Sequence, residues 1–253
     1  MGLGNEHQLE TPMRDGLTDF ETASNEIKES KEHVDLLAEA GILDSQGEEL
    51  ASCISHSVCG LVMLLTLFKL DDWFPEKYHA SIVIYVVCAC VLFFMSSFYH
   101  MPLWMKRPKK KLFLQKCDMT SIFFLIMGSY VPFCIHIINP RVIGLTLFTV
   151  IVVLSIIGIF AVFFKLFSFK GFVYLYLVLG WLSFAALKYI YDGVGSSWLI
   201  LGVIFMAGIS YSVGTWFLTN EDMNYSHLIW HVFIAFGVGL FYLSYYMAFQ
   251  NIK

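Results

Sequence analysis

Long stretches without Asp, Glu, Lys or Arg divide this chain, and they constrain its fold more than any other feature. Seven such stretches, of 17 to 30 residues each, cover 50–68, 78–105, 119–140, 142–164, 171–187, 193–220 and 223–252. A membrane-spanning helix needs roughly 20 consecutive apolar residues. With 58% hydrophobic and only 14% charged residues, the chain is too apolar for an ordinary soluble domain. The sequence therefore predicts an all-α, polytopic membrane protein with seven transmembrane helices.

The same pattern gives approximate bounds for these helices and excludes other classes of protein. We predict a transmembrane domain over 50–253, with helices at about 50–69, 79–101, 118–138, 142–164, 171–189, 196–218 and 227–249. The strands of a membrane barrel would alternate in polarity over segments of about ten residues, whereas these stretches are apolar on all faces. A net charge of −4 without a large basic domain argues against binding of nucleic acid.

Residues 1–49 form a separate acidic segment. They carry 13 of the 20 acidic side chains and three basic ones. Good helix formers from Asn25 to Ala40 predict one short helix, with Ser24 or Asn25 at its start and Gly41 at its C-terminal cap. This helix either rests, solvated, on the loops at the membrane or forms a plug over a site.

The distribution of basic residues predicts the orientation in the membrane, because short cytoplasmic loops retain Lys and Arg. The connection 101–117 contains six of them, Lys106, Arg107, Lys109, Lys110, Lys111 and Lys116, and the fourth connection contains Lys165 and Lys170. We therefore expect a multi-pass protein with a cytoplasmic N-terminus and an external C-terminus.

Ionisable side chains at membrane depth are costly, so each is a candidate functional residue. In the predicted topology, odd helices begin at the cytoplasmic face and even helices end there. The candidates in the cytoplasmic half are His56, His100, Asp118, His227 and His231, and His136 lies near the opposite face.

Two of these histidines have the spacing of a metal-binding pair. His227 and His231 are four residues apart on one helical face, which places their Cβ atoms about 6 Å apart. Alone, this spacing is weak support, because hydrogen-bonded histidines near an interface are common. His100, from another helix at the same depth, adds a third neutral nitrogen. Three histidines with water in the fourth position form a ligand set that catalytic zinc sites use.

Asp118 and Ser96 are candidates for the chemistry beside such a metal. Asp118 is the N-cap of the third helix, a carboxylate that hydrogen bonds to metal-bound water as a general base, or both. Ser96 lies one turn before His100 and either orients that water or packs helices together. His56, about two turns into the first helix, is interpreted as a hydrogen-bonding core histidine, because a fourth ligand would close the site.

Four sequence blocks resemble the hemolysin III and progestin/adipoQ receptor (PAQR) family. They are Glu49-x-x-Ser52-x-x-Ser55-His56, Ser96-x-x-x-His100, the segment from Asp118 through Ser121 to Pro132, and Ser226-His227-x-x-x-His231. The resemblance covers residues 48 to about 248, with Ser52 where the family usually has Asn. It implies seven helices, a cytoplasmic N-terminus, and Zn²⁺ near the cytoplasmic face held by His100, His227 and His231. It also implies that Asp118 and Ser96 lie beside the metal-bound water.

Two functions of different classes follow. The first is a zinc-dependent hydrolase of an acyl-amide, ceramide-like lipid, because the metal site that the resemblance implies is similar to that of alkaline ceramidases. The second is a receptor or regulator of membrane lipid composition in which zinc is structural. In both, a membrane lipid is the partner, as substrate or as ligand. A pore is less favoured, because no helix has a long polar stripe, and a retinal protein would need a lysine in the last helix, which 223–252 lacks.

Overall fold

The structure, a computed structural model, describes residues 22–25, 27–28, 30–32, 45–220 and 223–252. The chain divides into two units, Met1–Leu43 and Asp44–Lys253. Every described residue of the first unit is helical. Ser24 therefore lies inside a helix that already includes Thr22, and it is not the first residue as predicted. Gly41 and the rest of the predicted C-terminal half lie outside the described residues.

The described residues of the second unit form seven helices that are long and apolar enough to cross a membrane. They are α1 (Gln46–Trp73), α2 (Glu76–Tyr99), α3 (Pro108–Ile137), α4 (Arg141–Phe163), α5 (Phe169–Gly193), α6 (Trp198–Leu218) and α7 (Ser226–Asn251). The described residues contain no strand. The all-α, seven-helix fold class predicted from the charge-free stretches is confirmed.

A capping box starts α1 earlier than the apolar stretch indicates. The Ser45 hydroxyl accepts from the backbone N–H of Glu48, and the Glu48 carboxylate accepts from the backbone N–H of Ser45 at 2.8 Å. These two bonds satisfy donors that a helix start leaves unpaired. Because α1 begins at Gln46 instead of about residue 50, Glu48 and Glu49 belong to the helix.

Helix α3 also begins earlier than predicted, at Pro108 instead of about residue 118. Proline suits the first helical position because its missing N–H would be unpaired there in any case. The lysines that follow Pro108 are helical, so the charge-free stretch marks only the later part of α3. Asp118 consequently lies well inside the helix, and the prediction that it caps the helix is wrong.

The packing brings one end of four helices together. Helix α7 packs most extensively on α6 and also contacts α1, while α2 packs between α1 and α3. Because α2 runs opposite to α1, α3 and α7, its C-terminal end lies beside the N-terminal ends of the other three. Apart from His136, which lies at the far end of α3, the candidate residues of these four helices lie at this end.

The orientation of this bundle in the membrane is a prediction that labelling can test. In a background lacking the native cysteines, we expect Phe20→Cys to resist a membrane-impermeant thiol reagent on intact cells and Asn251→Cys to react, because the basic connections should remain inside. Labelling of both after lysis is the control. Reaction of Phe20→Cys from outside would reverse the topology and move the candidate site to the outer face.

Candidate metal centre

Three histidines from two helices converge in the second unit. His100 follows directly on α2, and His227 and His231 lie in the first two turns of α7. One ring nitrogen from each lies within 4.8 Å of the others. His100 and His231 are fully buried, while His227 is partly exposed. Among the described residues, this is the only such group of three His, Cys, Asp or Glu side chains, and it could hold a metal ion.

The hydrogen bonds of these rings suit metal ligation. The Nδ1 atom of His100 lies 3.1 Å from Oε2 of Glu49, while its buried Nε2 has no partner within 45–220 and 223–252. A hydrogen bond to the backbone of Ser52 orients His231, and its Nδ1 is likewise unpartnered in the described part of the chain. Burial favours uncharged imidazoles, and a neutral nitrogen with a free lone pair is what Zn²⁺ requires. The residues therefore fit a zinc ion.

A buried ion pair lies behind His100. Glu49 on α1 and Lys111 on α3 are 1% and 0% exposed. The Lys111 ammonium lies 2.5 Å from Oε2 of Glu49, the same oxygen that faces His100. It also lies over the ring of Tyr99, 4.8 Å from its centre. Sequence reasoning misses this pair, because it assigns no role to Glu49 and treats Lys111 only as a charge of the second connection.

Asp118 and Ser96 are brought together between α2 and α3. The Ser96 hydroxyl is buried and hydrogen bonds to the Asp118 carboxyl group. Ser96 lies one helical turn before His100, so this pair sits next to the histidine group. Asp118 also lies in the electrostatic field of Glu49 and Lys111. Such an arrangement can hold and transfer a proton beside a metal.

The other three histidines of the membrane domain, His56, His79 and His136, lie outside the group of three. His56 is buried and stacks on His231 with ring centres 3.6 Å apart, and it also packs edge-on against Phe93. His136 lies at the opposite end of the bundle, edge-on to Tyr78 and Phe249. His56 is thus a neighbour of the site, and His136 is remote from it.

The candidate site lies within the part of the chain that matches a known protein family. Residues 49–242 match a family model described as "Haemolysin-III related". Hemolysin-3 of Bacillus cereus is 31% identical over 203 residues, which cover 77% of this chain and 89% of that protein. The Hemolysin-3 homolog of Bacillus subtilis (strain 168) is 31% identical over 202 residues, covering 75% and 89%. The monocyte to macrophage differentiation factor of Homo sapiens is 26% identical over 205 residues, covering 78% and 82%.

The matched range includes the candidate site from Glu49 to His231, and the match confirms the resemblance carried by the four sequence blocks. The chain is a multi-pass integral membrane protein that belongs to the hemolysin III/PAQR family.

Proposed function

We propose that this protein is a zinc-dependent hydrolase that cleaves an acyl-amide, ceramide-like lipid within the membrane. The observation that carries the proposal is the composition of the site: three histidine nitrogens, with a hydrogen-bonded carboxyl and hydroxyl pair beside them. Three protein ligands leave a coordination position open, as catalytic zinc sites require and structural sites do not.

His100, His227 and His231 would hold the metal. A zinc ion there supplies Lewis acidity, which activates water at neutral pH and polarises the carbonyl of the substrate. Glu49 orients His100 through Nδ1, and such outer hydrogen bonds raise the basicity of a ligand. Burial of His100 and His231 lowers the polarity around these two rings, which strengthens their electrostatic interactions.

Asp118 would act as the general base. Its carboxylate takes a proton from the attacking water and returns it to the nitrogen of the leaving amine. The Ser96 hydroxyl, one turn before His100, donates to this carboxylate and restrains it. The side chain faces Ser96 on α2, so the proton would be held between α2 and α3.

An apolar cavity supports a lipid substrate. A cavity of about 80 Å³ lies between α3, α5, α6 and α7, and most of the side chains that line it are apolar. Its lining includes Ile122, one turn after Asp118, and Trp230, the residue before His231. Part of an acyl chain entering sideways from the bilayer would occupy this cavity, next to the segment of α7 that carries His231.

Purified protein reconstituted in liposomes tests the proposal. We expect release of fatty acid from ceramide, loss of that release when a chelator strips the metal, and recovery when Zn²⁺ is restored. The amine product should form in equal amount, because one amide bond yields one of each. Absence of hydrolysis across a broad panel of acyl lipids by zinc-loaded protein would contradict the proposal.

A second candidate function is a receptor or regulator of membrane lipid composition with a structural zinc. The observation in its favour is that the ligands come from α2 and α7, so one ion would tie the two helices together. In that case zinc removal lowers the melting temperature, the zinc-loaded protein hydrolyses no lipid, and a fourth protein ligand completes the coordination.

A further inference from the structure

Lys111 differs from its neighbours in the basic connection. Lys109 and Lys110 are exposed to solvent, whereas the Lys111 side chain is 0% exposed. Its ammonium group has turned inward along α3 and lies against Glu49 and the ring of Tyr99. A lysine that served only to orient the protein in the membrane would not need to be buried, so Lys111 has a role inside the bundle.

We propose that Lys111 is a positioning residue of the metal site, which holds Glu49 so that Glu49 can orient His100. The inference rests on the metal that the proposed function requires. The two contacts share one atom, because Oε2 of Glu49 lies 2.5 Å from the Lys111 ammonium and 3.1 Å from Nδ1 of His100. Fixing that oxygen fixes the acceptor for the Nδ1–H group, and it leaves Nε2 of His100 directed toward the metal.

Burying the ion pair of Glu49 and Lys111 costs free energy, so a contribution to stability alone does not explain it. A buried ion pair is weak support for stability, because desolvation of two charges offsets much of their attraction and apolar residues of the same volume often do as well. Glu49 alone would add a second negative charge beside Asp118. With Lys111 the pair is neutral, so it orients the ligand without adding net charge to the site.

The spacing of residues along α3 and α1 agrees with a role of Lys111 and Glu49 in the metal site. Lys111 precedes Asp118 by seven residues, or two turns, so α3 directs both side chains to the same face. Glu49 precedes His56 on α1 by the same interval. Helix α3 therefore supplies both the ammonium that holds Glu49 and the carboxyl group bonded to Ser96.

Zinc affinity of the full chain, measured by competition with a chelator, tests the proposal. We expect Lys111→Met to bind zinc about 10–100-fold more weakly, the range found when an outer hydrogen-bonding partner of a metal ligand is removed. The matched control is Lys110→Met, which removes the same charge from the adjacent exposed position and should bind zinc as the parent does. Equal affinity of Lys111→Met and the parent would overturn the proposal.

A double variant covers the case in which Lys111→Met fails to fold because it leaves a buried unpaired carboxylate. Glu49→Gln combined with Lys111→Met removes both charges and keeps the shape of both side chains. We expect it to recover the melting temperature of the parent while zinc affinity stays about 10–100-fold reduced. Recovery of both would mean that the pair only stabilises the fold, and the positioning role would be wrong.

These measurements separate the positioning role from the proposed hydrolysis. A parent protein that binds zinc but cleaves no lipid would contradict the hydrolase, and weakened zinc binding in the variants would still support Lys111 as a positioning residue. A parent protein that binds no zinc would overturn both.

Discussion

Purified His231→Ala protein should lose its stoichiometric zinc, whereas the parent should carry one ion per chain. The variant removes one of three ligands and leaves two nitrogens on different helices, which is too few to hold Zn²⁺. Elemental analysis of protein purified without added chelator measures the effect directly. Of all the substitutions considered, this one should change metal content most.

The matched control for this prediction is His136→Ala. His136 lies at the opposite end of the bundle, where it contacts Tyr78 and Phe249. The same change of side chain there should leave zinc at one ion per chain. Full zinc occupancy in His231→Ala would exclude this histidine from the ligand set.

The second large effect concerns the rate of hydrolysis. Asp118→Asn should keep its zinc and lose about 10²–10⁴-fold in rate, which is what a general base typically contributes. The amide matches the carboxylate in size and its oxygen can still accept from Ser96, but it cannot take up a proton. Because Asp118 lies inside α3 and not at its start, the substitution removes no helix cap.

Asp192→Asn is the control for this comparison. Asp192 is an exposed carboxylate at the far end of α5, and its substitution should leave the rate of lipid hydrolysis unchanged. Rates are measured on zinc-loaded proteins in the same liposomes. If Asp118→Asn hydrolysed lipid as fast as the parent, Asp118 would have only a structural role, as the hydrogen-bonding partner of Ser96 between α2 and α3.

The seven-helix fold could be predicted from the sequence because the membrane imposes a simple rule on composition. Charged side chains are excluded from the parts of helices that face lipid, so the charge-free stretches show where the membrane-spanning parts of the helices lie. The meeting of His100, His227 and His231 could also be predicted. A spacing of four residues places two of them on one face, and the alternation of helix direction puts the third at the same depth.

The helix starts could not be predicted from charge-free stretches, because a transmembrane helix extends beyond the lipid into charged residues. Helix α3 includes the lysines after Pro108, and α1 includes Glu48 and Glu49. Local signals for both starts are present in the sequence. Pro108 suits a first helical position, and Ser45 with Glu48 has the spacing of a capping box.

Those signals would also have pointed to the part of the site that sequence reasoning missed. Once α3 is extended back to Pro108, Lys111 falls two turns before Asp118 on the same face. Once α1 includes Glu49, that carboxylate lies on the face of His56. The pairing of Lys111 with Glu49 could not be predicted from the sequence, because burial of Lys111 against Glu49 depends on how α1, α2 and α3 pack.

X-ray absorption at the zinc edge of the purified parent protein tests the central claim most directly, because it reports the identity and number of the atoms bound to the metal. The account predicts three imidazole nitrogens and one oxygen ligand that exchanges with solvent or with an added zinc-binding inhibitor. A fourth protein ligand that no inhibitor displaces would contradict an open catalytic site, and absence of zinc from the parent would contradict the metal centre itself.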